Sequence, residues 1–234
     1  HARYSRENQV MTAYLDRFDL VVLDMNGTFM FGEDRFDADQ DFAITFSDVS
    51  SIRLTTEEIN TIILDCCDVL FKYYRDPEHY DDFPSVTEVL AGLPAARQLS
   101  AEARDAMEVV LARHELGQIP QAHADVLRRL ASGHRLALLS NLWSRKGPWL
   151  AVLEEAGLGD AFEAMLFSSD TKTIKPSPRL FNMLLNKTRV VPEKAVYIGD
   201  DLARDVAGAR AAGLASVWLS HGRSRDPDYD PAPD

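Results

Sequence analysis

The sequence predicts an α/β fold: a doubly wound parallel sheet, Rossmann-like, with a smaller helical domain inserted into it. Three observations carry this. Short apolar runs end in Asp, Ser or Gly-Asp; helical patterns lie between those runs; and residues 31–119 interrupt the alternation with a long stretch poor in strand signals. Strand, helix, strand in alternation implies parallel pairing, because a parallel neighbour is reached only by a crossover connection.

Residues 18–23 form the first run, which ends at Asp24 and meets Gly27 in a tight loop. Residues 135–139 end at Ser140, residues 164–167 precede Ser168-Ser169-Asp170, residues 195–198 end at Gly199-Asp200, and residues 215–219 end at Ser220. Helical patterns cover 121–131, 148–156, 178–186 and 202–212, with Gly133, Gly157 and Gly213 at stop positions. Ligands of such sheets bind beyond the carboxyl ends of the strands, so Asp24, Ser140 and Asp200 can converge. Within 31–119, Thr55 or Thr56 can cap a helix through Ile59, Ile62 and Ile63 towards Phe71, and Ser85 or Thr87 and Ser100 suit later starts. The expected division is a core of 13–30 plus 120–222, a helical cap of 31–119 and a flexible tail of 223–234, the last rich in Pro and Asp. Gly32, Gly117 and Pro120 at the crossings suit a two-strand hinge.

Composition narrows the partners. With 234 residues, 46% of them hydrophobic and 26% charged, the chain can bury a core without disulfides or structural metal. Its net charge of −12 repels phosphate backbones, so no nucleic-acid partner is expected. Apolar runs such as 20–23 and 136–139 fall far short of the roughly 18 residues that span a bilayer. Cys66 and Cys67 are adjacent, which suits a helix face and not a disulfide framework. No apolar signal core stands near the first residues, and a cytoplasmic protein is the expectation. The sequence carries no signal for an oligomeric state.

Four blocks fall in a set order: Asp24-Met25-Asn26-Gly27-Thr28, Leu139-Ser140-Asn141, Lys175-Pro176-Ser177-Pro178, and Gly199-Asp200-Asp201 followed by Asp205. This order resembles the haloacid dehalogenase-like superfamily, whose first motif is usually Asp-x-Asp-Gly-Thr and whose last is Gly-Asp-x-x-x-x-Asp. The resemblance covers residues 18–220, a cap after the first motif included, and departs from the pattern at Asn26, where the family has its second Asp.

The resemblance implies a nucleophilic Asp24 that takes a phosphoryl group from a small phosphorylated substrate as an aspartyl-phosphate. It implies Mg²⁺ held by Asp24, Asp200, Asp205 and the backbone carbonyl of Asn26, with Asp201 a less certain neighbour. Lys175 would supply a second positive charge, and Thr28, Ser140 and Asn141 would help hold the phosphoryl oxygens. The Asn26 amide can hydrogen-bond in place of the family's acid–base Asp but cannot exchange a proton at neutral pH. Phe29, Met30, Phe31, Glu33, Asp34 and Arg35 either reach the leaving group or simply pack, and Tyr73, Tyr74, Arg75 and His79 can line a cap face. His114, His123 and His134 lack ligand spacing, and Trp143 and Trp149 suit core packing. Three functions stay open: a Mg²⁺-dependent phosphatase or phosphotransferase, a dehalogenase-type hydrolase, and a phosphate- or partner-binding module without turnover. Carbon displacement needs no Mg²⁺, so the Asp200 and Asp205 pair favours the first.

Overall fold

The computed structural model describes residues 13–37 and 39–224; the first dozen residues and positions 225–234 of the expected tail lie outside them. Five strands form one sheet: β1 (Leu20–Leu23), β2 (Leu136–Ser140), β3 (Ala164–Phe167), β4 (Ala195–Gly199) and β5 (Ala215–Trp218). Between β1 and β2 run α1 (Phe42–Val49), α2 (Thr56–Arg75), α3 (Val86–Gly92), α4 (Ala101–Glu115) and α5 (Gln121–Ala131). Helix α6 (Gly147–Glu155) joins β2 to β3, α7 (Pro178–Thr188) joins β3 to β4, and α8 (Ala207–Ala211) joins β4 to β5.

The strand order is β3-β2-β1-β4-β5, and every adjacent pair is parallel. The chain therefore builds outward from β1 on one side, then returns to its other edge with β4, which makes β1 the switch point of the sheet. Strand side chains alternate between faces. Val21, Leu23, Leu136 and Leu138 pack with Leu127 of α5 and Trp149 and Leu153 of α6. Leu20, Val22, Ala137 and Leu139 pack on the other side with Leu180, Phe181 and Leu184 of α7. This two-sided burial is why the strands read as unbroken apolar runs.

Helices α1–α4 bury a third cluster, which includes Phe42, Phe46, Ile59, Ile63, Leu90 and Leu111. Of the alternative starts, Thr55 and Ser85 are the caps: each side chain accepts an N–H three residues on, and Glu58 and Glu88 reach back to close reciprocal boxes. Ser100 caps α4. Helix α1, which carries no strong sequence signal, starts at Asp41, whose carboxylate accepts the Ala43 N–H.

Where the chain leaves and re-enters the sheet half, Phe31 and Gln118 exchange backbone hydrogen bonds of 2.9 and 2.8 Å. A Cβ on the neighbouring Gly117 would stand 2.7 Å from Met30 Cγ and 2.9 Å from the Phe31 carbonyl oxygen, so only glycine lets the two segments lie this close. The expected helix over 202–212 is split. Residues Leu202–Val206 form a wider π turn ahead of α8, with the Val206 N–H bonded to the Asp201 carbonyl across five residues. No helix among the described residues is long and apolar enough to cross a membrane.

Candidate active site

Asp24 leaves β1 with its N–H still bonded to the Ile198 carbonyl of β4, so the sheet fixes its backbone. The loop then closes on one acceptor: the Met25 carbonyl takes the N–H groups of Thr28, Phe29 and Met30 within 3.1 Å. Gly27 turns with φ +71°, and a Cβ there would stand 2.7 Å from Oδ1 of Asp200. Glycine thus allows the Asp200 carboxylate to lie against the loop that carries Asp24.

Five side chains meet at the strand ends. Ser140 Oγ donates to Asp24 Oδ1 at 2.8 Å. The Lys175 ammonium donates to Asp24 Oδ1 at 2.7 Å, to Asp205 Oδ1 at 2.6 Å and to the Tyr197 hydroxyl at 3.0 Å. Tyr197 in turn donates to the Leu139 carbonyl. Lys175 is only 3% exposed, and Asp24 and Asp205 are equally buried. The π turn suits this packing, since the second Asp205 oxygen accepts the Asp201 N–H at 3.0 Å and fixes the carboxylate beneath the β4 end.

Burial raises the Asp24 carboxyl above its ordinary range although Lys175 pulls it down. Burial likewise lifts Asp205 to about 6 against the same ammonium, with Asp24 adding to the rise. Burial alone would discharge Lys175, but Asp205 and Asp24 hold it well above its usual value, so it stays a cation. Asp200 is raised by burial while Arg223, bonded to its Oδ2 at 3.0 Å, opposes the rise. Three carboxylates, Asp24, Asp205 and Asp200, thus pair with two cations, Lys175 and Arg223.

A divalent cation bound here would turn that excess of carboxylates into an excess of positive charge. One oxygen from each of Asp24, Asp200 and Asp205 lies within 4.8 Å of the others, and an all-carboxylate donor set suits a hard ion such as Mg²⁺. The geometry fits the ion, with Gly27 leaving the room that Asp200 needs.

Above these groups opens a cleft of about 230 Å³. Glu33, Asp34, Phe71, Tyr74 and Glu115 wall it from the α1–α4 side, and Trp143 and Arg204 from the sheet side. Asp34 opens to solvent at the cleft mouth, yet the surrounding protein and the Glu33 carboxylate raise it to about 6. Glu115 is buried, and its carboxylate accepts the N–H groups of Trp143 at 2.6 Å and Ser144 at 3.0 Å. Burial, then Asp34, push Glu115 up to about 7.

The predicted residues do not all sit alike. Asp24, Ser140, Lys175 and Asp205 are in direct contact, and Asp200 faces them across Gly27. Asn141 lines the cleft, but its amide is taken up by the Lys175 backbone and the Tyr74 hydroxyl. Asn26 lines the cleft with its Oδ1 buried and without a partner among the described residues. Thr28 does not line the cleft: it borders a separate groove with Leu15, Phe29 and Leu127, its buried hydroxyl without a partner among the described residues. Asp201 caps the π turn through the N–H groups of Ala203 and Arg204. Trp149 packs in the core as expected, whereas Trp143 forms cleft wall, edge-on to Phe71 with ring centres 4.6 Å apart. Cys66 and Cys67 lie buried on α2, where burial pushes the Cys66 thiol up to about 12.

Sequence reasoning missed Tyr197, Arg204, Arg223 and Glu115. A phenol inside the apolar run of β4 is a signal, since a buried hydroxyl must find a partner. An acid at the C-terminus of α4 is another, because it opposes the helix dipole. Arg223 falls at the first position of the expected tail, where nothing marks it as a partner of Asp200.

The model of the haloacid dehalogenase-like hydrolase family matches residues 18–213. The chain is 39% identical over 117 residues to a phosphoserine phosphatase of Thermus thermophilus, covering 48% of this chain and 45% of that protein. It is 30% identical over 115 residues to a glyceraldehyde 3-phosphate phosphatase of Pyrococcus furiosus, covering 49% and 47%. The chain spans about half the length of the curated relatives it matches. In fold it is similar to a 2-haloacid dehalogenase from Pseudomonas syringae, with a TM-score of 0.64, 23% identity and 92% of each chain covered. A HAD phosphatase from Thermococcus onnurineus gives a TM-score of 0.56 at 24% identity, with 90% of each chain covered. The family match extends over most of the chain and agrees with the order of its strand-end motifs, and on that ground this protein belongs to the haloacid dehalogenase-like hydrolases.

Proposed function

We propose that this protein is a Mg²⁺-dependent phosphatase or phosphotransferase that acts on a small phosphorylated metabolite through an aspartyl-phosphate at Asp24. One observation carries the proposal: a buried ammonium, Lys175, bonded to both Asp24 and Asp205, with a third carboxylate, Asp200, within reach of the same point. Displacement at carbon needs a nucleophile and a place for the halide, and it gains nothing from Asp200 and Asp205. Transfer of a phosphoryl dianion to a carboxylate needs excess positive charge, and these residues are suited to hold it. The phosphatases among the relatives support the same choice.

Both side-chain hydrogen bonds to Asp24, from Ser140 and Lys175, fall on Oδ1, and Oδ2 serves as the attacking oxygen. It forms a bond to phosphorus as the ester P–O bond breaks, and the departing oxygen takes a proton from water, since the Asn26 amide has none to give. Water then attacks phosphorus and gives up a proton to solvent, the bond to Asp24 breaks, and phosphate leaves. Mg²⁺ bound by Asp24, Asp200 and Asp205 would supply two positive charges against the phosphoryl oxygens. Ser140 and Lys175 hold the carboxylate in place, and residues 31–119 act as a cap over a core of 13–30 and 120–222.

Asn26 favours a second reading, a binding module with little turnover. Its amide can bond the departing oxygen but cannot protonate it, and acid–base help is worth about 10² to 10⁴ in rate. Alkyl phosphates, which need that proton, should turn over slowly; aryl and acyl phosphates should still phosphorylate Asp24. A phosphate-release screen over small phosphoesters with Mg²⁺, run on this chain and on Asn26→Asp in parallel, tests this. A large gain in Asn26→Asp supports the enzyme; phosphate release from neither chain supports the binding module.

A further inference from the structure

Helices α1–α4 bury their own apolar cluster, and among the described residues one buried member comes from the far half of the chain: Ile174, with 0% exposure. It directly precedes Lys175. The loop that carries both is bound to the helical insertion along its length. Phe83 N–H donates to the Lys172 carbonyl at 2.7 Å, and Ile174 N–H donates to the Tyr80 carbonyl at 2.8 Å. Ser177 Oγ donates to Asp81 at 2.6 Å, and Lys172 pairs with Glu88. These contacts stand apart from the covalent crossing at Phe31 and Gln118.

The Lys175 backbone is fixed just as closely. Its N–H donates to Asn141 Oδ1 at 2.8 Å, and its carbonyl accepts from Arg204 Nη1 at 2.6 Å. The other Arg204 nitrogen donates to the Tyr74 carbonyl, and the guanidinium lies 3.5 Å from the centre of the Tyr74 ring. One peptide unit therefore separates a side chain seated in the apolar cluster of the insertion from an ammonium seated between Asp24 and Asp205.

We infer that Ile174 is a positioning residue: by anchoring in the helical insertion it sets the place of the Lys175 ammonium against Asp24 and Asp205. The insertion is then not a lid that swings freely about its two-strand crossing. Drawing it away from the sheet must either pull Ile174 out of its cluster or shift Lys175 from its carboxylates. Seating of the insertion and assembly of the charged site become one event.

The test is the reactivity of Lys175 in the full chain, read by trace acetylation with acetic anhydride and peptide mass spectrometry, with exposed Lys187 as internal reference. The readout is independent of turnover, so it stands whether or not phosphate release is found. Ile174→Ala should raise Lys175 labelling about tenfold by increasing local opening. Leu90→Ala, an equally buried site in the same cluster but remote in sequence from the loop, should leave it within about twofold despite a similar loss of melting temperature. Ile174→Leu, which keeps the apolar bulk, should restore protection. Where Ile174→Ala does not fold, Ile174→Val serves, with an expected rise of about threefold. Equal rises in the Ile174 and Leu90 variants, or no rise in the Ile174 variants, would overturn the inference.

Discussion

Glu115→Gln should remove a pH dependence of stability that the wild-type chain carries. Glu115 is 3% exposed, and its carboxyl is pushed from 4.5 up to about 7 by burial and by Asp34. Between those two values the folded chain holds a proton that the unfolded chain has released. Stability from this group is therefore fully present below pH 4.5 and is lost as pH rises through 7. The slope is about 1.4 kcal/mol per pH unit and the whole loss about 3 kcal/mol. Gln cannot ionise, but where Oε1 and Oε2 of Glu115 each accept one N–H, from Trp143 and Ser144, its amide has a single acceptor and turns an NH2 towards the other, a cost of about 1 to 3 kcal/mol that does not change with pH. The stability of the variant relative to wild type should therefore rise by about 2 to 3 kcal/mol between pH 5 and pH 8, on top of that constant cost. Urea denaturation of both chains at pH 5, 6, 7 and 8 measures the difference, in which the other carboxyls cancel. Parallel stability curves would show that the Glu115 charge is not desolvated as its burial requires.

The site itself gives three more predictions. Saturating Mg²⁺ should raise the melting temperature, by the equivalent of about 2.7 kcal/mol at a hundredfold excess over Kd, and Asp200→Ala should lose that shift; calorimetry with and without chelator checks both. Lys175→Met leaves Asp24 and Asp205 buried without their cation, which should cost about 3 to 5 kcal/mol at pH 8. The cost should shrink towards pH 5, because Asp205, already raised to about 6, then takes up a proton; an equal cost at both pH values would exclude the buried triad. Gly27→Ala puts a methyl 2.7 Å from Asp200 Oδ1 at φ +71°, so it should lower stability by about 1 to 2 kcal/mol and weaken Mg²⁺ binding, both measurable by the same calorimetry.

The sheet was legible because each strand is buried on both faces and so appears as an unbroken apolar run ending in a polar residue, as at Leu23-Asp24 and Gly199-Asp200. Thr55, Ser85 and Ser100 were legible as caps because their chemistry is local. What stayed hidden depends on distant segments. Tyr197 and Arg204 reach Lys175 across gaps of 22 and 29 residues, and Ile174 belongs to a cluster built more than sixty positions earlier in the chain. Motif order fixes a backbone position and not what a side chain lines, and Thr28 borders a separate groove. The π turn at 202–206 was hidden because its apolar spacing is still that of a helix.

The proposed attack of Asp24 on phosphorus is open to direct measurement: incubation with acetyl phosphate and Mg²⁺, acid quench, and mass-spectrometric mapping of the phosphorylated peptide. One phosphoryl group on Asp24, absent with chelator and absent from Asp24→Ala, is the expected result, with slow dephosphorylation that Asn26→Asp speeds. A chain that acquires no phosphoryl group at Asp24, or an Asp24→Ala variant that still releases phosphate, would contradict it.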